Sequence, residues 1–348
     1  MKSFHRVGKP TISIILPIRN EENAIRGCLE AIINQDFSLD QIEVLIADGM
    51  SIDTTRRIVK QYQDLYPQIS LVDNPSKIVS TGMNRAIRIS RGDFIFRVDG
   101  HTILSPKYIK TCHETLMRTN ADNVGGGMSA SGNTIFGTAI SIATSVPFGI
   151  GNSKFHYSNL EEEVDTVYMG AWPIDVFRRI GLFDEELVRD QDDEFNYRIR
   201  ENGGKIILNP KIKSVYYTRS SPLSLWKQYF QYGFYKVRVL QKHPRQMSVR
   251  QFVPPVFVLS LLLAILLTVI LPWGWVLLAM ITGSYLTANL AASLVTAAQK
   301  GWKHLWLLPV TFAILHLSYG LGFLCGLVKF WNRWGDKIGK VPEWIKNE

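Results

Sequence analysis

Thr11–Ile18 is apolar at almost every position, and the segment after it, Glu21–Asn34, places apolar residues at Ala24, Cys28, Ile32 and Ile33. An unbroken apolar run of strand length predicts a strand covered on both faces, and a spacing of three to four predicts a helix. The alternation then repeats. Glu43–Ala47, Ile69–Val72 and Asp93–Val98 predict strands, with helices predicted between them at Asp53–Tyr66 and Ile78–Ser90. Strands separated by helices imply a mostly parallel sheet with right-handed crossovers, and such sheets bind ligands at the carboxyl ends of their strands. Beyond residue 250 the pattern changes: Phe252–Leu271, Trp273–Ala298 and Leu305–Val328 contain no Asp, Glu, Lys or Arg, and each is long enough to cross a bilayer core. The chain therefore reads as an α/β domain over 1–215, an amphipathic interfacial connector over 216–250, about three transmembrane helices within 251–329 and a basic tail at 330–348.

Composition agrees with a folded, membrane-attached chain. Hydrophobic residues are 46% and charged residues 20% of the 348, which excludes a disordered or collagen-like chain, and the mean hydropathy of +0.03 is high for a soluble domain. Cys28, Cys112 and Cys325 are far apart and form no C-x-x-C pair, so a disulfide framework and a zinc knuckle are both unsupported. The net charge of +9 is unevenly distributed. Residues 1–215 carry 25 Lys and Arg against 27 Asp and Glu, and residues 216–348 carry 14 against 3. Basic charge beside long apolar runs points to anionic lipid headgroups, and nucleic acid is not an expected partner.

Met1–Pro10 is polar and basic, without the apolar core of a cleavable signal peptide. Together with Arg238, Lys242, Arg245 and Arg250 before the first apolar run, this predicts a multi-pass protein of the cytoplasmic (inner) membrane with its N-terminal domain in the cytoplasm. Three crossings are favoured, although they would place Lys329, Arg333, Lys337, Lys340 and Lys346 outside, against the positive-inside tendency; a re-entrant second segment is the alternative. Gly322 and Gly326 form a G-x-x-x-G in the last run, where packing within the chain is favoured over a homo-oligomer contact.

The predicted strand ends carry the chemistry. They read Pro17-Ile18-Arg19-Asn20-Glu21-Glu22, Asp48-Gly49-Met50-Ser51-Ile52-Asp53 and Val98-Asp99-Gly100-His101; further on stand Asn84-Arg85-Ala86, Gly170-Ala171-Trp172, Gly181-Leu182-Phe183-Asp184-Glu185 and Gln191-Asp192-Asp193-Glu194-Phe195 followed by Arg198. This ordered set resembles glycosyltransferase family 2 on a GT-A nucleotide-sugar-binding fold, over about residues 10–235. Gln228-Tyr229-Phe230-Gln231-Tyr232-Gly233 and the apolar C-terminus give a narrower likeness to the membrane-anchored enzymes of succinoglycan-type exopolysaccharide synthesis.

The resemblance implies roles for these residues. Pro17, Arg19, Glu21, Asp48, Asn84 and Asp99 would contact a UDP-sugar donor, with Asp48 accepting from the uracil; a turn-closing role for Asp48 is the competing reading. For Asp53, helix capping and ligand contact are equally supported. Asp99 and His101 replace the family's paired metal carboxylates and would hold Mn²⁺ or Mg²⁺. Asp192 would be the general base, with Asp190 and Asp193 as rivals within an acidic cluster that raises a carboxyl pKa by like-charge repulsion; a helix N-terminus enriched in acids is the alternative. Gly170, Trp172 and Asp193 would face the acceptor, with a core position equally open for Trp172. Gln228 and Lys236 would assist the diphosphate, or Lys236 would anchor headgroups. Gly125-Gly126-Gly127 lacks the Lys-Ser/Thr of a phosphate loop and predicts a close backbone approach.

The expected protein is an inverting, metal-dependent enzyme that moves a hexose, glucose foremost, from a UDP-sugar to a polyprenyl-diphosphate-linked or other membrane acceptor. The rival is a nucleotide-binding, non-catalytic membrane scaffold with a degenerate transferase domain.

Overall fold

A computed structural model describes residues 9–131, 134–151, 155, 158–217, 221–337 and 339–344. The first half follows the predicted alternation: β1 (Ile12–Ile18), α1 (Ile25–Ile33), β2 (Ile42–Asp48), α2 (Thr55–Leu65), β3 (Ile69–Asp73), α3 (Val79–Ile89) and β4 (Phe94–Arg97). β2 is buried at every position and β1 at all but Pro17, as their unbroken apolar runs require. Helix α1 starts four residues later than the spacing predicts. Asn20 adopts a left-handed φ of 54°, and the Glu21 carbonyl accepts from the amides of Ala24 and Ile25, so Glu21–Ala24 form a turn that leads into the helix.

The rest of the chain adds β5 (Thr102–Leu104), α4 (Tyr108–Thr119), β6 (Asn123–Ser131), α5 (Ile135–Ala143), α6 (Pro147–Ile150), β7 (Glu162–Glu163), β8 (Tyr168–Pro173), α7 (Ile174–Ile180), α8 (Gln191–Glu201) and β9 (Ile206–Tyr217). The sheet order is β3-β2-β1-β4-β8-β6-β9-β5, with β7 on β9. The expectation of a parallel sheet holds for β3, β2, β1 and β4. From β4 outward the pairing is antiparallel, β4 to β8, β8 to β6, and β9 to both β5 and β7, so the whole sheet is mixed. The helix-by-helix alternation that enforces parallel pairing ends at β4 in the sequence as well.

The glycine run lies in β6. A Cβ on Gly126 would run into the Ile212 carbonyl oxygen, and one on Gly125 would stand 2.5 Å from the Val167 Cβ. These glycines therefore admit neighbouring strands, as the missing Lys-Ser/Thr suggested.

Four more helices follow: α9 (Pro222–Lys242), α10 (Val253–Ile270), α11 (Gly274–Lys300) and α12 (Leu308–Lys329). The last three are each long and apolar enough to cross a membrane. The chain divides into two units, one formed by 1–129, 157–216 and 339–348, the other by 130–156 and 217–338. Residues 130–156 thus group with the C-terminal helices, and the last residues return to the N-terminal unit. There the Leu182 amide donates to the Pro342 carbonyl at 2.9 Å, Glu185 N to Lys340 O at 2.9 Å, and Lys340 N to Asp184 Oδ1 at 3.0 Å.

Replacing Gly126 by alanine should lower the stability of the N-terminal unit by about 3 kcal/mol, the upper range for an overpacked interior. A thermal melt of the detergent-purified protein that matches wild type would contradict this packing.

Candidate active site

The carboxyl ends of β1, β2 and β4 are joined by a lattice of side-chain bonds. Asn20 N donates to Ser51 Oγ (2.8 Å), Ile52 N to Asn20 Oδ1 (2.9 Å), Glu21 N to Thr55 Oγ1 (2.8 Å) and Thr54 Oγ1 to Glu22 Oε2 (2.8 Å). Asp53 belongs to this lattice. It accepts from the amides of Thr55 (3.0 Å) and Glu22 (3.3 Å). Arg19 is exposed above the loop and its aliphatic stem passes Gly49, where an added Cβ would lie 3.3 Å away. Pro17 and Glu21 are half-buried beside it.

Asp48 is fully buried at the end of β2. Its Oδ1 accepts from Ser51 Oγ at 2.5 Å and its Oδ2 from Arg56 Nη1 at 2.7 Å, and Arg56 also reaches Asp73 Oδ1 at 2.8 Å. The structure thus gives Asp48 the turn-closing contacts. A carboxylate has about four acceptor positions, so these bonds do not exhaust it.

At the end of β4, Arg97 organises the acidic residues. Its Nε donates to Asp99 Oδ1 at 2.9 Å and its Nη1 to Asp192 Oδ1, at the start of α8. The Arg97 side chain is 8% exposed, Asp99 15% and Asp192 38%. Burial alone would lower the arginine's pKa, but the adjacent Asp192 and Asp99 raise it above the ordinary value. Arg97, with His101 and the Tyr168 hydroxyl at 3.3 Å, conversely holds the Asp99 carboxyl below its usual range despite burial. Asp192 moves the other way: burial raises it, the Asp99 and Asp193 charges add to the rise, and Arg97 opposes it. Two carboxylates on one guanidinium are therefore driven apart in acidity, which is how a site separates a fixed anion from a proton acceptor. Arg97 was not singled out from sequence. The available signal was a lone cation ending the apolar strand Phe94-Ile95-Phe96, where a buried charge requires partners.

His101 Nδ1 lies 2.9 Å from Glu21 Oε1. A carboxylate on one ring nitrogen orients an imidazole and strengthens it as a ligand through the other. Asp99 is held ionised two residues earlier in the chain, so the two side chains have the donor chemistry for a divalent cation. Among the described residues no three His, Cys, Asp or Glu form a complete metal cage, so the remaining ligands would come from substrate and water. Cys28, whose thiol is 3.6 Å from the Asp99 carbonyl, is pushed far up by burial and by the Asp99 and Glu21 charges and is no nucleophile.

Two expected ligand residues are structural. Asn84 is fully buried with its amide engaged by one loop: Nδ2 donates to Phe183 O (2.8 Å) and Glu185 Oε1 (3.0 Å), and Oδ1 accepts from Phe183 N (2.9 Å). Where a donor contact was expected, its hydrogen-bonding groups clamp Gly181–Glu185 to α3. Trp172 is 2% exposed and packs edge-on against Phe177, Phe183 and Phe195 at 5.7 to 5.9 Å. It is a core residue and no acceptor wall. Gly170 precedes it because a Cβ there would stand 2.5 Å from Asn123 Oδ1. Asp193 is half-buried in the first turn of α8. Arg198 fixes that helix to the same loop, pairing with Glu194 (2.7 and 3.0 Å) and donating to the carbonyls of Ile180 (2.6 Å) and Leu182 (2.7 Å). Gln228 and Lys236 belong to the C-terminal unit, on α9. Gln228 Nε2 donates to Tyr232 Oη at 2.9 Å, and Lys236 is buried.

Residues 13–174 match the sequence pattern of Glycosyl transferase family 2. The chain is 28% identical over 322 residues to the succinoglycan biosynthesis protein ExoA of Rhizobium meliloti strain 1021, covering 92% of this chain and 96% of that one. It is 29% identical over 326 residues to a Methanococcus voltae dolichyl N-acetyl-alpha-D-glucosaminyl phosphate 3-beta-D-2,3-diacetamido-2,3-dideoxy-beta-D-glucuronosyltransferase, covering 91% and 97%. Among solved structures, a Pyrobaculum calidifontis mannosyltransferase in complex with GDP-Man and Mn²⁺ superposes with a TM-score of 0.60 at 15% identity, covering 91% of this chain and 88% of that one. That likeness establishes the GT-A-like fold.

Removing the Arg97 cation should raise the Asp192 pKa further. A base at Asp192 would work ionised, so activity would rise with pH through that pKa, and the acid limb of the kcat/KM profile should move to higher pH in Arg97→Gln by roughly one to three units, the effect of an adjacent opposite charge. An unmoved limb would separate Arg97 from the base.

Proposed function

Starting from a glycosyltransferase whose residues 13–174 form a family 2 domain, we propose that the protein moves a hexose, with glucose as our reading, from a UDP-sugar to a lipid-linked glycan acceptor, with inversion at the anomeric carbon. The observation that carries this reading is the Asp99–Arg97–Asp192 cluster, in which one carboxylate is held ionised and the other is raised toward the range of a working base. Asp192 accepts the proton of the acceptor hydroxyl as that oxygen attacks, and inversion follows because the base and the leaving nucleotide lie on opposite faces of the sugar. Arg97 orients the Asp192 carboxylate. Arg19 supplies exposed positive charge at the mouth of the site, and Glu21 and Pro17 line the nucleoside beside Asp48. Asp99 and His101 would hold the divalent cation, Mn²⁺ or Mg²⁺, and that ion would supply neutralising charge for the departing diphosphate.

The acceptor class rests on the relatives. One is named for succinoglycan biosynthesis and the other for transfer to a dolichyl-linked sugar phosphate, and they align over 92% and 91% of this chain. A lipid-linked acceptor explains why a transferase domain is joined to membrane-length helices.

The test is UDP release by detergent-purified protein with a panel of UDP-sugars, with Mn²⁺, Mg²⁺ or EDTA, plus and minus a membrane lipid extract. Release that needs one sugar, metal and the extract is expected. Asp192→Asn should lower kcat about 10²- to 10⁴-fold, the usual contribution of a general base, with donor binding retained. Donor binding without any turnover would instead favour a binding-only scaffold, and full activity in Asp192→Asn would exclude Asp192 as the base.

A further inference from the structure

The C-terminal residues fix the parity of membrane crossing. Lys340 and Pro342 are hydrogen-bonded to Leu182, Asp184 and Glu185 of the N-terminal unit, and an added Cβ on Gly181 would stand 3.1 Å from Val341 Cγ1. The tail is therefore on the same side of the bilayer as that unit. Residues 330–338 cannot recross to bring it there: they are nine in number and include Arg333, Asp336 and Lys337. Helix α9 is also excluded as a crossing, since it carries Lys227, Lys236, Arg238 and Lys242 within 21 residues. Among the described residues α10, α11 and α12 remain, and three crossings would leave the tail on the wrong side.

We infer that the chain crosses the bilayer twice, as an α10–α11 hairpin, and that α12 does not cross but stays on the side of the N-terminal unit. Two observations select this pair. First, crossing through α10 and α11 keeps Arg238, Lys242, Arg245, Arg250, Lys300, Lys303, Lys329, Arg333, Lys337 and Lys340 on one side, with only uncharged Leu271-Pro272-Trp273 at the turn; any other pair exports Lys300 and Lys303. Second, 44% of the apolar window of α12 is buried, against 17% for α10 and 11% for α11. The cover comes largely from the polar helix α9. A Cβ on Gly322 would meet the Phe230 carbonyl oxygen and one on Gly326 that of Phe234, while Gln241 Nε2 donates to Phe330 O at 2.7 Å and the buried Arg238 to Arg333 O at 3.3 Å. A helix bound along its length to one that cannot enter hydrocarbon is itself held out.

Single cysteines in a Cys325→Ser background test this in the full chain, because the other two cysteines are buried. A membrane-impermeant maleimide is applied to sealed vesicles of both orientations, with exposed Lys60→Cys in α2 reporting the side of the N-terminal unit. Lys303→Cys and Glu343→Cys should label with Lys60→Cys, and Trp273→Cys only from the opposite face. Labelling of Glu343→Cys from the face opposite Lys60→Cys would overturn the even parity. Labelling of Trp273→Cys on the same face as Lys60→Cys would overturn the hairpin crossing, and labelling of Lys303→Cys with Trp273→Cys would overturn the choice of α10 and α11.

Discussion

Arg97 is a cation at the end of a buried strand, and its environment has to be built around it. A guanidinium with little solvent contact is tolerable only when carboxylates complete its hydrogen bonds. Asp99 arrives from the same strand end two residues later, and Asp192 from the start of α8, 95 residues away in sequence. The need to neutralise Arg97 thus ties the parallel core, where a nucleotide is expected, to the helix that carries the proposed base. It also gives the two acids different settings: Asp99 is stabilised as an anion, while Asp192 is driven toward protonation by burial and then by the neighbouring Asp99 and Asp193 charges, against the pull of Arg97.

The base would be useless if α8 could shift, and the loop Gly181–Glu185 prevents that from several directions. Asn84 grips it from α3, Arg198 gathers the carbonyls of Ile180 and Leu182 while pairing with Glu194, and the tail closes it through Lys340 and Pro342. Phe183 also anchors the loop in the aromatic core with Trp172, Phe177 and Phe195. Buried networks of this kind are rigid because each unpaired group left by a displacement would carry a desolvation cost of about 1–3 kcal/mol. A segment more than 150 residues downstream of that loop is therefore part of the catalytic domain's framework.

In the C-terminal unit the same economy of charge appears at a larger scale. Basic residues flank each apolar helix except at the α10–α11 turn, and the conflict that a three-span reading creates with the positive-inside tendency disappears when α12 is kept beside α9. Hydropathy alone cannot make this distinction. A helix packed on another protein helix and one packed in lipid both need apolar surface, so length and composition report only that the surface is covered, not by what.

The sequence by itself determined the features that depend on local period and composition: the strand–helix alternation through β4, the polar strand ends, the three apolar helices and the concentration of basic charge after residue 215. The resemblance to glycosyltransferase family 2 also pointed to Asp99, His101 and Asp192. Only the tertiary structure decided which partners these groups meet. It paired Arg97 with Asp192, placed Asn84 in a loop clamp and Trp172 in the core, turned the outer half of the sheet antiparallel, and brought residues 340–342 back to Leu182–Glu185. The physical reason is one of range. Periodicity records whether a side chain is covered within a few residues of its own helix or strand, whereas ion pairing, aromatic packing and strand direction depend on contacts between segments far apart along the chain.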